Sequence, residues 1–142
     1  MEESAAIAEV NASLPPYALS TGLRAVRLVE SAPLIELPFA EIVHGRPGFF
    51  HGGALAGLLE FAGIAALRME LERRGGGLRF KPVNISVEFL RGASDAMPVV
   101  ALGEVTRAGR RIANVSVRAW QDKPDKPVAE AWMNFLLSEA KG

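Results

Sequence analysis

The spacing of apolar residues changes along the chain, and each change marks an element. Glu2 to Ser13 reads as a short helix of mixed character. It ends at Leu14-Pro15-Pro16, because a residue ahead of proline is pushed out of the helical region, and it is expected to lie on the body as a lid or edge cover. Gly22 to Val29 and Pro33 to Ala40 read as two strands joined around Glu30-Ser31-Ala32, with Pro33 and Pro38 pointing to an edge position. A loop follows from Glu41 to Phe50, containing His44, Gly45, Arg46, Pro47 and Gly48. From Gly53 to Arg74 the apolar positions Leu55, Leu58, Leu59, Ala62, Ala66 and Met69 mark a helix, and Phe61, Ile64 and Ala65 fill its other faces. A helix apolar on all sides is expected to be buried on all sides. Arg68, Arg73 and Arg74 suit its negative end, and Gly75-Gly76-Gly77 stops it.

Beyond the glycines the period becomes two. Val83, Ile85, Val87 and Phe89 alternate with Asn84, Ser86 and Glu88, and Val99 to Thr106, Arg111 to Trp120 and Val128 to Leu137 continue as strands. Ala108-Gly109-Arg110 and Lys123-Pro124-Asp125-Lys126-Pro127 are turns short enough for antiparallel neighbours. The predicted class is α+β: an antiparallel sheet curled around one long central helix, in a single domain over residues 1–142 without internal repeats. One helix cannot cover a large sheet, and the last two long strands are expected to leave edges and apolar faces, so the unit should pair with a copy of itself. Trp120 and Trp132 are expected to pack on the helix or in an interface.

Composition narrows the chemistry. The chain has 142 residues, with 16 basic and 16 acidic side chains that cancel and no Lys/Arg cluster, which argues against a nucleic-acid partner. Cysteine is absent, which removes disulfides, thiolate metal sites and a cysteine nucleophile. The 2 histidines, without a set of carboxylates around them, do not compose a zinc site, and no cofactor motif is seen. The stretch Ala54 to Leu67 is too short to span a bilayer and contains Glu60, and the acidic start Met1-Glu2-Glu3 lacks the pattern of a secretory signal. A cytoplasmic protein with no membrane partner is expected.

The chemistry concentrates at the start of the long helix. Glu60 is the one carboxylate in a run that is otherwise apolar or glycine from Gly52 to Leu67, and the run is entered through Phe50-His51-Gly52-Gly53. An ionised carboxylate among apolar residues is costly to bury unless it is paired or used. Glycines at a helix start let a ligand approach the unpaired N–H groups of the first turn, where negative charge is favoured. A base or nucleophile beside an anion cradle makes up the two halves of an acyl-transfer site.

Taken together, His51-Gly52-Gly53 followed by Leu58 and Glu60, with Ile85-Ser86-Val87-Glu88-Phe89-Leu90-Arg91, Gly109-Arg110-Arg111 and Val128-Ala129-Glu130-Ala131 in support, resemble a hotdog-fold acyl-CoA thioesterase of the phenylacetate-pathway (PaaI-like) family. The resemblance covers roughly Tyr17 to Leu137. It implies that the Gly52 N–H holds the thioester carbonyl, that His51 shapes the loop and holds the substrate, and that Glu60 is general base or nucleophile. It also implies an acyl-CoA substrate and a homodimer, itself expected to pair into a dimer of dimers. The family more often has Asp at the position of Glu60, while related aryl-CoA thioesterases use Glu. Two positions depart further: a common asparagine falls on or near Gly45, and a hydroxyl residue falls near Pro82.

Spacing adds a condition of its own. Glu60 lies eight positions past Gly52, about 12 Å of axial rise on one helix, so the two cannot grip one carbonyl from the same chain. A shared site therefore requires two subunits. Gly53, Phe50 and Phe89 are candidate substrate contacts, and Arg91, Arg110 and Arg111 are candidates for the phosphates of coenzyme A, although strand-end arginines are commonly solvated. Leu55, Leu58, Leu59, Phe61 and Phe89 are candidates for the pocket wall. Two other classes stay open: a hydroxyacyl-thioester dehydratase of the same fold, suggested by His44-Gly45-Arg46-Pro47 ahead of Glu60, and a non-catalytic acyl-CoA binder, suggested by the missing asparagine and hydroxyl.

Overall fold

The structure, a computed structural model, describes residues 2–140. Helices α1 (Glu3–Ala12) and α2 (Pro16–Thr21) precede a hairpin of β1 (Arg24–Val29) and β2 (Ala32–Leu37). A single 3-10 turn, Glu41–Val43, leads to α3 (Gly52–Arg73), and four strands follow: β3 (Leu78–Phe89), β4 (Val99–Ala108), β5 (Ile112–Trp120) and β6 (Ala129–Glu139). The strands form one six-stranded antiparallel sheet in the order β1-β2-β4-β5-β6-β3. It curls around α3, which is the hotdog arrangement.

The inner face of the sheet is built by alternation. Ala101, Val115, Val117, Ala131, Met133 and Phe135 are buried against Leu55, Leu58, Leu59, Ala62 and Leu67 of α3. The helix sits close because small residues meet at the contact: a methyl on Gly103 would fall 2.8 Å from the Ala62 carbonyl oxygen, and one on Gly63 would fall 2.6 Å from Met133 Sδ. The C-terminal end of α3 is tied down by two arginines, Arg73 bonding the Ser31 carbonyl at 2.7 Å and Arg74 the Ala108 carbonyl at 3.0 Å. Glu70 pairs with both, and its carboxyl is held below the ordinary range chiefly by the hydrogen bond from Arg73. Gly75, Gly76 and Gly77 all take positive φ, which stops the helix as expected.

Three expectations are corrected. The hairpin β1–β2 turns at Glu30 and Ser31 with positive φ, but only β1 is an edge; β2 lies between β1 and β4. Pro33 is tolerated because it pairs with Leu28 before the contact with β4 begins at Leu34, so no ladder bond to β4 is lost. Second, β6 is internal and the other edge is β3, paired on one side only, with Val83, Phe89 and the following Leu90 exposed along it. Pro82 sits at a register shift of β3, where an edge strand accommodates a missing N–H. Third, of the two placements expected for Trp132, packing on the helix is overturned and the interface is left open: it is 45% exposed and faces away from α3, in register with Ser116 and Ser86 on the outer surface of the sheet. Trp120 shares that outer face. No helix among the described residues is long and apolar enough to cross a membrane.

Candidate active site

The start of α3 is placed by a short hairpin loop. The His51 N–H donates to the Val43 carbonyl at 2.7 Å, the Gly45 N–H to Phe49 at 2.9 Å, and the Phe49 N–H to Arg46 at 3.0 Å. This hairpin is stacked on the segment after β3: the Phe50 N–H donates to Ala93 at 2.9 Å and the Asp95 N–H to Gly48 at 2.9 Å. Phe50 is buried and packs edge-on against Phe39, so it anchors the loop from beneath. His44 accepts from the Gly48 N–H at 3.3 Å and packs on Phe39, a structural role within the same loop.

Gly45 explains one departure from the family pattern. A methyl there would fall 2.9 Å from His51 Cα and 3.3 Å from the Phe50 carbonyl oxygen, so this loop leaves no room for a side chain such as asparagine at that position.

His51 is the N-cap of α3, with extended φ and ψ, and its Nδ1 accepts from the Gly53 N–H at 2.8 Å. Gly53 is needed for that contact, since a methyl on it would fall 2.9 Å from the imidazole. The N–H groups of Ala54 and Leu55 both donate to the His51 carbonyl, at 3.0 and 3.1 Å. Of the first four helical N–H groups, then, three are satisfied. The N–H of Gly52 has no protein partner among the described residues. Phe89 flanks the same residue: its ring would stand 3.5 Å from a methyl on Gly52 and is itself 57% exposed. Gly52, Gly53, His51 and Phe89 are thus brought together around an unmatched donor at the positive end of a long helix.

Glu60 is placed elsewhere on the same helix. It was expected to be buried by an all-apolar environment, but in a single chain it is exposed, on an outward stripe of Gly53, Gly57, Glu60, Ile64 and Arg68 spaced by three and four residues. Leu55, Leu58 and Leu59 belong to the core and not to a pocket wall, whereas Phe61 lines a groove between α1 and α3. The uninterrupted helix Gly52–Arg73 keeps Glu60 about 12 Å along the axis from the Gly52 N–H.

The candidate arginines separate into two groups. Arg91 follows the end of β3 near the start of α3, while Arg110 and Arg111 lie in the β4–β5 turn at the opposite end of the sheet, where the Arg111 carbonyl accepts from Leu137. Arg46, not read from the sequence as a phosphate contact, reaches the residue after Arg91: its guanidinium lies 4.1 Å from the centre of the Phe49 ring and 3.4 Å from where a methyl on Gly92 would be. Forty-odd residues separate Arg46 from Arg91 in the sequence, and only the stacking of the loop on the post-β3 segment relates them. No cluster of metal-ligating residues is found among the described residues.

Comparison with known proteins bears on the fold and the family. Among curated proteins nothing matches. A protein from Chromobacterium violaceum has a similar structure, with a TM-score of 0.74, 31% identity, and coverage of 93% of its chain and 97% of this one. A thioesterase from Haemophilus influenzae superposes with a TM-score of 0.82 at 18% identity over 94% of this chain and 90% of its own. The Escherichia coli PaaI protein from the phenylacetic acid degradation operon does so with 0.77 at 17% identity over 96% and 92%. At those identities the last two support the fold alone. The family profile described as thioesterase superfamily matches residues 47–128, a stretch that holds the His51 cap, Gly52, Glu60 and the edge strand β3, and the chain belongs to that superfamily.

Proposed function

We propose that the protein is a cytoplasmic acyl-CoA thioesterase that acts as a homodimer, with each site built from the Gly52 N–H of one copy and Glu60 of the other. The observation that carries the reading is the unmatched Gly52 N–H, left over when its neighbours in the first turn are all bonded. A carbonyl oxygen placed there gains a donor and the positive end of the helix, and both interactions strengthen as the oxygen becomes an oxyanion. Glu60 then takes a proton from water attacking the thioester carbon and returns it to the departing thiolate. Alternatively, it attacks the carbon itself, releases the thiolate and forms an anhydride that water hydrolyses.

The fold supports the reading of pairing in trans. An unprotected edge strand of 12 residues invites antiparallel pairing with the same strand of a second copy. Because such pairing runs opposite ends together, it would bring Arg91 and Arg46 of one copy to the sheet end that carries Arg110 and Arg111 of the other. The three predicted arginines, scattered in one chain, then converge on one phosphate-rich ligand. Dimers are further proposed to pair into a dimer of dimers, a role for which the exposed outer face around Trp132 is available.

Incubation with a panel of acyl-CoAs tests the class of reaction: free thiol is expected, whereas enoyl absorbance would mean a dehydratase and binding without turnover would mean a sensor. Neutralising Arg91, Arg110 or Arg111 is expected to raise KM several-fold with little change in kcat, since a phosphate contact is kept from ground state to transition state. Unchanged KM in all three variants removes them from the site.

A further inference from the structure

α2 does something no sequence pattern announced. Ala18 is buried in the core, Thr21 is buried with its hydroxyl bonded to the Ala18 carbonyl at 3.1 Å, and Gly22 closes the helix with φ 83°. Pro15 and Pro16 restrict the backbone entering it. This anchored single turn holds Tyr17 outward against α3. The Tyr17 ring occupies the space that a side chain at position 57 would need: a methyl on Gly57 would fall 2.7 Å from the phenol oxygen and 2.8 Å from the ring. Gly57 belongs to the outward stripe of α3 and precedes Glu60 by three positions, so the β-carbon positions of the two are about 5–6 Å apart. The phenol is therefore seated one turn of α3 before Glu60, on the same outward stripe. Tyr17 remains 53% exposed, and its hydroxyl has no protein hydrogen bond among the described residues. On the other side of Glu60 the stripe runs into the groove of about 620 Å³ between α1 and α3, floored by Val10, Phe61, Ala65 and Met69.

We infer that Tyr17 is a specificity-determining wall of the acyl site: seated on Gly57, it fills the volume on the N-terminal side of Glu60 and limits the size of acyl group that can be placed there. The inference rests on Glu60 as the reacting carboxylate. Gly57 is the matching half of the device, since any side chain at 57 would displace the phenol.

The test is a comparison of kcat/KM across acyl-CoAs from acetyl to medium-chain and aryl in Tyr17→Ala, Gly57→Ala, Tyr17→Phe and the unaltered protein. Removing the ring is expected to shift the ratio of large to small acyl groups by about tenfold or more, within the range that hydrophobic pocket volume commands. Gly57→Ala, which moves the ring without deleting it, should shift the ratio in the same direction, and Tyr17→Phe should leave it unchanged. Glu60→Gln in the same panel separates the two ideas. If it is inactive while Tyr17→Ala and Gly57→Ala keep the original ratio, the wall is wrong and the site stands. If Glu60→Gln turns over at the original rate, the site itself is wrong and the inference falls with it.

Discussion

Glu60→Gln is expected to lower kcat on acyl-CoA by about two to four powers of ten, the span of general-base contributions, while folding and acyl-CoA affinity persist. Both chemical routes open to Glu60 need the ionised carboxylate, and glutamine keeps the shape while removing the charge. The exposure of Glu60 in a single chain strengthens the separation of effects, because no core packing is lost with the substitution. Glu60→Asp, which shortens the side chain by one methylene, should retain more activity than Gln. Steady-state rates with thiol detection, alongside thermal unfolding of each variant, check the prediction. Wild-type turnover by the Gln variant would make Glu60 a surface residue only.

Gly52→Pro should cost about two to three powers of ten in kcat, the usual loss when one oxyanion donor is removed. Proline at this position is compatible with the helix start. Gly52 is the first residue of α3, where proline's fixed φ suits a helix and its missing N–H breaks no helical bond. The residue before it, His51, already has φ −70° and ψ 136°, the extended conformation that a following proline demands. A β-carbon would meet Phe89 at 3.5 Å, ordinary contact distance. The substitution thus replaces the unmatched N–H by the ring Cδ, which closes the oxyanion position without breaking a helical bond, and a melting temperature close to that of the unaltered protein should accompany the loss of activity. Full activity in Gly52→Pro would exclude this N–H as the oxyanion donor.

The long helix was readable within one residue at each end, because its apolar spacing, last-turn arginines and closing glycine run are local signals that tertiary contacts only reinforce. The meander β4-β5-β6 was readable for the same reason, its turns being short and its alternation regular. Strand order was not. Whether β2 or β6 lies at an edge depends on which strands they pair with across the sheet, and Pro33 misled because one residue of offset between its two neighbours keeps it clear of β4. His51-Gly52-Gly53 was legible as a candidate motif at the helix entrance, but the cap that His51 provides, its Nδ1 accepting from the Gly53 N–H, was not. The environment of Glu60 was not, because an apolar helix composition does not say which stripe is left uncovered by the chain's own sheet. Neither Tyr17 nor Arg46 could be placed beside the site from the sequence: each acquires its position through a contact distant in sequence, with Gly57 in one case and with the segment after β3 in the other.

The central claim is that one site draws on two copies of the chain, and heterodimers test it most directly. A Glu60→Ala chain and a Gly52→Pro chain, each inactive alone, are denatured together, refolded and shown by distinguishable tags to form mixed dimers. In a mixed dimer one composite site keeps both Gly52 and Glu60 while the other has lost both, so at equal mixing about a quarter of the activity of the unaltered dimer should return. Mixed dimers that form in the expected proportion and hydrolyse no acyl-CoA would contradict the shared site.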